Sequence, residues 1–329
     1  MQLGSISGQS RVIDALRRSI NTNRVAHAYL FEGISGCGRR STAIALIQAV
    51  FCKQPVDGDA CGKCISCIKV EAGNHPDIQF LSPLPDKRDI TIEQVRELQQ
   101  VLSLRPYEAK RKACLIEPAE RMNEKSANAL LKTLEEPPGD ALIILLTTQG
   151  DLLLSTIRSR CQHLLFSPLD ETTITKLLEK GGLSASEAAF LAPLAEGSLD
   201  TASMLDSEGS ESRRIEIVEM LASADTGQIS TIFDTGELLS VNRDENVSLF
   251  TVIVSLLRDM VIIRTTGNRS SIANRIVQDR LTSEAARFSA SGIMEALELT
   301  LEVRKTIIGN ANAKLSMEHF LLAYCRLRA

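Results

Sequence analysis

Four cysteines stand close together, Cys52, Cys61, Cys64 and Cys67, with two residues between each of the last three. That spacing lets successive thiolates converge on one ion, and four thiolates suit a closed tetrahedral structural Zn²⁺. An iron–sulfur cluster shares the doubled two-residue spacing, but the further cysteine it would need is missing, because Glu71 stands there. His75 could replace Cys52 as a ligand, but it reads first as an ordinary loop histidine. Clustering of this kind reads as metal binding rather than disulfides. Cys37, Cys114 and Cys325 read as small buried hydrophobes.

A second group with chemical meaning is Gly33, Ile34, Ser35, Gly36, Cys37, Gly38, Arg39, Arg40. It occupies the frame of a phosphate-binding loop, in which backbone N–H groups cradle phosphate, a lysine spans the β and γ phosphates and a hydroxyl holds Mg²⁺. Here Arg39 stands for the lysine, and a planar guanidinium is not interchangeable with a compact ammonium at a tight site. Arg40 stands for the hydroxyl and offers no oxygen to a metal, while Ser41 comes one position late. The next strand should end in carboxylates that orient metal and activate water. Glu117 supplies one, but Pro118 follows it and cannot act as a general base. These residues predict a vestigial nucleotide loop: binding of ATP or ADP is doubtful and hydrolysis absent.

The elements that must position these groups follow from periodicity. Ala26–Phe31 is a short apolar run, then come the glycine-rich turn and Ala, Ile and Leu at helical spacing: strand, loop, helix. Thr91 with Gln94 is a capping box before Val95, Leu98, Val101 and Leu102, and this helix ends before Pro106. Ala113–Ile116 and Ala141–Thr148 are further buried strands, separated by a helix over 123–136 that Pro137 and Pro138 close. Continuous apolar strands alternating with helices predict an α/β core with a parallel sheet covered on both faces. Beyond Pro168 the stripes at Ile174, Leu177, Leu178, Ala188, Ala189, Leu191 and Leu194 predict a small helical unit. Asp206–Ser212 reads as a linker, and long helices are predicted over 213–224, 245–265, 292–308 and 315–327. The division is therefore 1–167 with the cysteine module inserted at about 52–67, then 168–207, then an all-α domain over 208–329.

Composition narrows the function. A chain of 329 residues that is 44% hydrophobic and carries a net charge of −4 folds, and it has no global basic field for nucleic acid or anionic membrane. The basic group Arg105, Lys110, Arg111, Lys112 reads first as a solvated edge. With no Trp and three Tyr, a single-strand stacking platform is disfavoured. The first twenty residues have no apolar signal core, and Val247–Ile263 is interrupted by Arg258 and Asp259 and reads as a buried helix. A cytoplasmic protein without a membrane role is expected.

Taken in order, Ala28–Ser41, the segment Cys61-Gly-Lys-Cys-Ile-Ser-Cys67, the triplet His75-Pro76-Asp77, and Glu120–Pro138 with its Ala127-Asn-Ala-Leu-Leu-Lys-Thr-Leu-Glu-Glu-Pro-Pro138 run resemble the AAA+ clamp-loader family of bacterial DNA polymerase III, in its delta prime branch. Ser159, Arg160 and Cys161 continue the likeness, which grows fainter through the helical remainder. The resemblance implies an AAA+ core, a three-helix lid and a helical collar joining a hetero-pentamer with ATP-hydrolysing tau/gamma subunits and a delta subunit. Such a complex places the sliding clamp on primed DNA. The resemblance also implies four zinc-binding cysteines, and an arginine finger at Arg160 that completes a neighbour's ATP site in trans. The family's first sensing residue maps to Thr147 or Thr148. Its second sensor, an arginine after Gly197-Ser198-Leu199, is replaced by Asp200, whose carboxylate would repel triphosphate. The competing readings are an AAA+ motor that hydrolyses ATP itself, with Arg39 for lysine and Ser41 for the hydroxyl, and a zinc-dependent nucleic-acid module.

Overall fold

The computed structural model describes residues 2–85, 87–206, 209–224, 243–266, 272, 274–309 and 311–328. Five strands form one sheet: β1 (Ala28–Glu32), β2 (Ile78–Leu81), β3 (Ala113–Ile116), β4 (Leu142–Thr147) and β5 (Gln162–Leu165). Their order is β2-β3-β4-β1-β5 and every pairing is parallel. Leu30 sits opposite Leu145 on one side and His163 on the other. Alternate side chains enter two cores. Tyr29, Phe31, Leu115, Ile144 and Leu146 pack with Leu16 of α1 (Ser10–Asn21) and Leu46 and Ile47 of α2 (Arg39–Phe51). Leu30, Ile116, Ile143 and Leu145 pack on the other face with Leu98 of α4 (Ile92–Ser103) and Leu130 and Leu134 of α5 (Glu124–Glu135). Each such side chain contributes about 1.5–3 kcal/mol on burial, and a sheet covered on both faces explains why these strands read as unbroken apolar runs.

The strands β1, β3 and β4 and the helices α2, α4 and α5 match the sequence expectation, and the Thr91–Gln94 capping box forms in both directions. Asn123 caps α5, its Oδ1 accepting from Ser126 N at 2.9 Å. Between α2 and β2 lies α3 (Ile65–Glu71), and before β5 comes the one-turn α6 (Ser155–Arg158). The strand β5 is an edge strand with Gln162, His163 and Leu165 exposed.

The chain divides into two compact units, Met1–Leu177 with Glu196–Leu199, and Leu178–Ala195 with Asp200–Ala329. Three helices follow the sheet: α7 (Glu171–Lys180), α8 (Ala185–Leu191) and α9 (Leu199–Asp206). The expected linker is partly regular: α9 runs to Asp206 and α10 (Gly209–Ser223) begins three residues later. Short polar residues suit a helix start as well as a coil, so composition alone misreads them. Among the described residues there follow the helices α11 (Arg243–Thr266), α12 (Gln278–Ala285), α13 (Ala290–Ile308) and α14 (Ala313–Arg326). By length and composition α11 could cross a membrane, but most of its apolar window is buried among the other helices, as in the core of a bundle. Phe250 of α11 meets Phe320 of α14 edge-on, with ring centres 5.8 Å apart. Buried Glu284 receives Arg328, Arg287 and the Tyr324 hydroxyl, tying α12 to the end of α14.

Candidate functional site

The phosphate-loop frame sits where β1 turns into α2. Gly33 N–H donates to Thr147 O at 3.2 Å, and a Cβ on Gly33 would lie 2.7 Å from Phe166 O, so only glycine fits. Gly38 takes φ +98° to open α2, a left-handed backbone that favours glycine. The Cys37 carbonyl accepts from Gln9 Nε2 at 3.1 Å, and the same nitrogen donates to Ser167 O at 2.7 Å, pinning the underside of the loop.

The two arginines of the loop differ in exposure, Arg39 being buried and Arg40 open to solvent. Arg39 is 7% exposed, with its charge beside the Cys37 thiol. Burial raises the Cys37 thiol, and the neighbouring Arg39 charge opposes that rise only in part. The guanidinium of Arg40 is ion-paired with Glu117 at the end of β3 and lies over the Phe80 ring, 5.8 Å from its centre. The position that would carry a metal-binding hydroxyl is thus joined directly to the carboxylate that would face the metal. Ser41 lies half-buried in the first turn of α2, and Thr42 Oγ1 donates back to Gly38 O at 2.8 Å. Of the two sensor candidates, Thr147 is buried with its Oγ1 accepting from Gln149 N, and Thr148 donates to Glu120 at 2.6 Å. Leu199 N–H donates to Gly36 O at 3.1 Å, and exposed Asp200 lies in the first turn of α9.

The four cysteines converge. Cys52 ends α2, Cys64 precedes α3 and Cys67 lies in its first turn. Their Sγ atoms all lie within 4.8 Å of one another, with Cys64–Cys67 at 3.4 Å and Cys61–Cys67 at 3.9 Å. Four sulfurs each about 2.3 Å from a central ion stand roughly 3.8 Å apart, so the donor set fits tetrahedral Zn²⁺. Backbone N–H groups already point at sulfur: Cys61 N and Gln54 N at Cys52, and Cys64 N at Cys61. Burial opposes ionisation of Cys64, but the N–H groups of Lys53 and Cys67 and the neighbouring thiols outweigh it and bring Cys64 to about 6. Cys61 is lowered as well, chiefly by the N–H groups of Lys63 and Cys64, while burial raises Cys52 and Cys67. His75 is not among the converging groups. Its Nε2 meets Ser66 Oγ at 3.2 Å and its ring lies tilted against Phe51, so it ties α3 to the segment entering β2.

Two carboxylates organise this region, Asp77 from the His75-Pro76-Asp77 triplet and Asp59, which no motif marked. Asp59 accepts from the N–H groups of Leu3, Gly4 and Ala60, fastening the first residues to the cysteine module. Asp77 accepts from Tyr107, Glu108 and Ala109 N–H at 2.6, 2.7 and 2.8 Å, fixing the loop that leads into β3.

Arg160 follows α6, away from the phosphate loop in sequence and half exposed. Its Nε donates to Glu135 Oε1 at 2.8 Å, its Nη2 pairs with the same oxygen and its Nη1 donates to Thr156 O at 3.0 Å. Arg158 points elsewhere, to Asp151. Glu32, the last residue of β1, meets His163 at 2.7 Å and Gly150 N–H at 3.3 Å, a contact invisible before β1 and β5 are seen to be neighbours.

The family model described as DNA polymerase III, delta subunit, matches residues 8–170. The delta′ subunit of Bacillus subtilis (strain 168) is 30% identical over 317 residues, 95% of each chain. That of Pseudomonas aeruginosa is 38% identical over 196 residues, 59% of this chain and 60% of its own. The tau/gamma subunit of Haemophilus influenzae is 34% identical over 208 residues, covering 61% of this chain but 30% of its own. A match that runs the length of both chains, over the glycine loop, the cysteine module and the helical remainder alike, identifies the chain as a member of the delta′ subunit family of bacterial DNA polymerase III, the clamp-loader branch that its motifs resemble.

Proposed function

We propose that this subunit turns over no ATP itself and serves a clamp loader by lending Arg160 to the ATP site of a neighbouring tau/gamma subunit, in a hetero-pentamer that also holds a delta subunit and places the sliding clamp on primed DNA. The observation that carries the reading is the pair of arginines in the phosphate loop. Arg39 is buried against Cys37 where a triphosphate-binding lysine would reach outward, and Arg40 neutralises Glu117 where a divalent ion would sit. Neither group leaves a metal–triphosphate pair its usual contacts, and Pro118 beside Glu117 supplies no base. A guanidinium at developing γ-phosphate charge is, by contrast, a rate device that a neighbour's site can borrow, worth ~10³ to 10⁵ in GTPase cases.

Residues 1–167 form the AAA+ core in this reading, 168–207 the lid and 208–329 the collar through which subunits join. The four cysteines hold a structural zinc, and the protein works in the cytoplasm with no membrane role. In the test, the full chain carrying Arg160→Ala is assembled with its partner subunits, and ATP hydrolysis stimulated by clamp and primed DNA is measured. A large loss with the complex intact supports the reading, and unchanged hydrolysis overturns it. ATP turnover by the isolated chain with Mg²⁺ would make it a motor instead.

A further inference from the structure

Arg160 is not a loose surface arginine. Its N–H donors at Nε, Nη1 and Nη2 are engaged within the chain, by Glu135 and by Thr156 O. A guanidinium has five such hydrogens in a rigid fork; Nη1 also donates to Ser159 Oγ at a long 3.5 Å, so the second hydrogen of Nη2 and the weakly held one on Nη1 are the pair that can meet two oxygens of one phosphoryl group. Both supports are themselves fixed. Glu135 is the last residue of α5, whose Leu130 and Leu134 are buried in the core, and Pro137 and Pro138 follow it. Arg160 stands between Ile157, fully buried, and Cys161, whose thiol burial pushes up to about 12. The arginine is therefore held at the junction of two anchored elements, against the C-terminus of α5, where a cation is favoured.

Resting on the reading that Arg160 acts in trans, we propose that Glu135 is its positioning residue: it grips the guanidinium through Nε and Nη2 and so sets how the remaining hydrogens meet a neighbour's nucleotide. Glu135 touches no substrate in this role. It is half exposed, so solvent screens its charge, and what it supplies is direction more than field. Orientation of a transition-state donor lowers the barrier without tightening ground-state binding.

The experiment uses the full chain assembled with its partner subunits, sliding clamp, primed DNA and ATP. Glu135→Ala is expected to lower kcat by roughly 3- to 10-fold, the scale of one exposed charge-assisted pair, with KM for ATP and assembly unchanged. Glu135→Gln, which keeps an acceptor oxygen, is expected to fall less. In an Arg160→Ala background Glu135→Ala is expected to change nothing further, because the two act as one unit. Wild-type turnover by Glu135→Ala, or an equal loss in the Arg160→Ala background, overturns the proposal. If Arg160→Ala alone leaves hydrolysis unchanged, the finger reading fails. If it abolishes stimulation while Glu135→Ala does not reduce it, only the role of Glu135 fails.

Discussion

Asp77→Asn tests the local architecture with the least change of shape. The wild-type carboxylate is buried and takes three backbone N–H groups, one on Oδ1 and two on Oδ2. An asparagine can keep its oxygen on the Glu108 and Ala109 side, but its NH₂ then faces the Tyr107 N–H. One charge-assisted bond is lost and two donors confront each other. At about 1.5–3 kcal/mol for a hydrogen bond to a charged group, plus the desolvation left behind, the loss comes to about 2–4 kcal/mol. For a unit of this size that lowers Tm by roughly 5–12 °C. The pH dependence has a definite sign. Burial alone would raise the Asp77 carboxyl, yet the three N–H groups outweigh it and hold the group below its ordinary value. A depressed folded value contributes stability that is present above the unfolded pKa of about 3.9 and is lost as pH falls through the folded value. The Tm difference between wild type and Asp77→Asn should therefore be flat from about pH 5.5 to 8 and shrink below about pH 4. Thermal melts of the two proteins across that range measure it. A difference under a degree at pH 7, or one that persists undiminished at pH 3, would refute the reasoning.

Metal analysis of the purified chain should find about one zinc per chain, and chelation should lower its melting temperature, because a structural ion's binding energy is folding energy; identical melts with and without metal would exclude a structural role. In the helical unit, Glu284→Ala strips Arg328 of its buried partner and should cost about 3–5 kcal/mol. Tyr324→Phe removes one donor from the same carboxylate, which keeps both arginines, and should cost about 1 kcal/mol by urea denaturation.

What the sequence made legible is whatever depends on neighbours a few residues apart. The apolar runs of β3 and β4, the capping box at Thr91 and Gln94, and the cysteine spacing each state their structure locally. The edge strands β2 and β5 escaped notice because Phe80, Gln162 and His163 face solvent and dilute the apolar signal. Asp77 and Glu135 stand in segments that carry the family likeness and Asp59 in none, but the roles of all three stay hidden until the fold brings distant N–H groups or a guanidinium to them, 25 to 56 residues away. The departures in the phosphate loop were readable as residue types, but the pairing of Arg40 with Glu117 required knowing that the end of β3 lies beside the start of α2.

The order of the sheet also sets a timetable. Strand β1 is made before the other strands of the sheet, yet its two hydrogen-bonding neighbours, β4 and β5, come from residues 142–165. At about 5–20 residues per second, the nascent chain carries Ala28–Phe31, four buried residues, for on the order of ten seconds before either partner strand exists. During that interval the backbone of β1 has two open edges, so the ribosome-bound chain is prone to association while this interior strand waits.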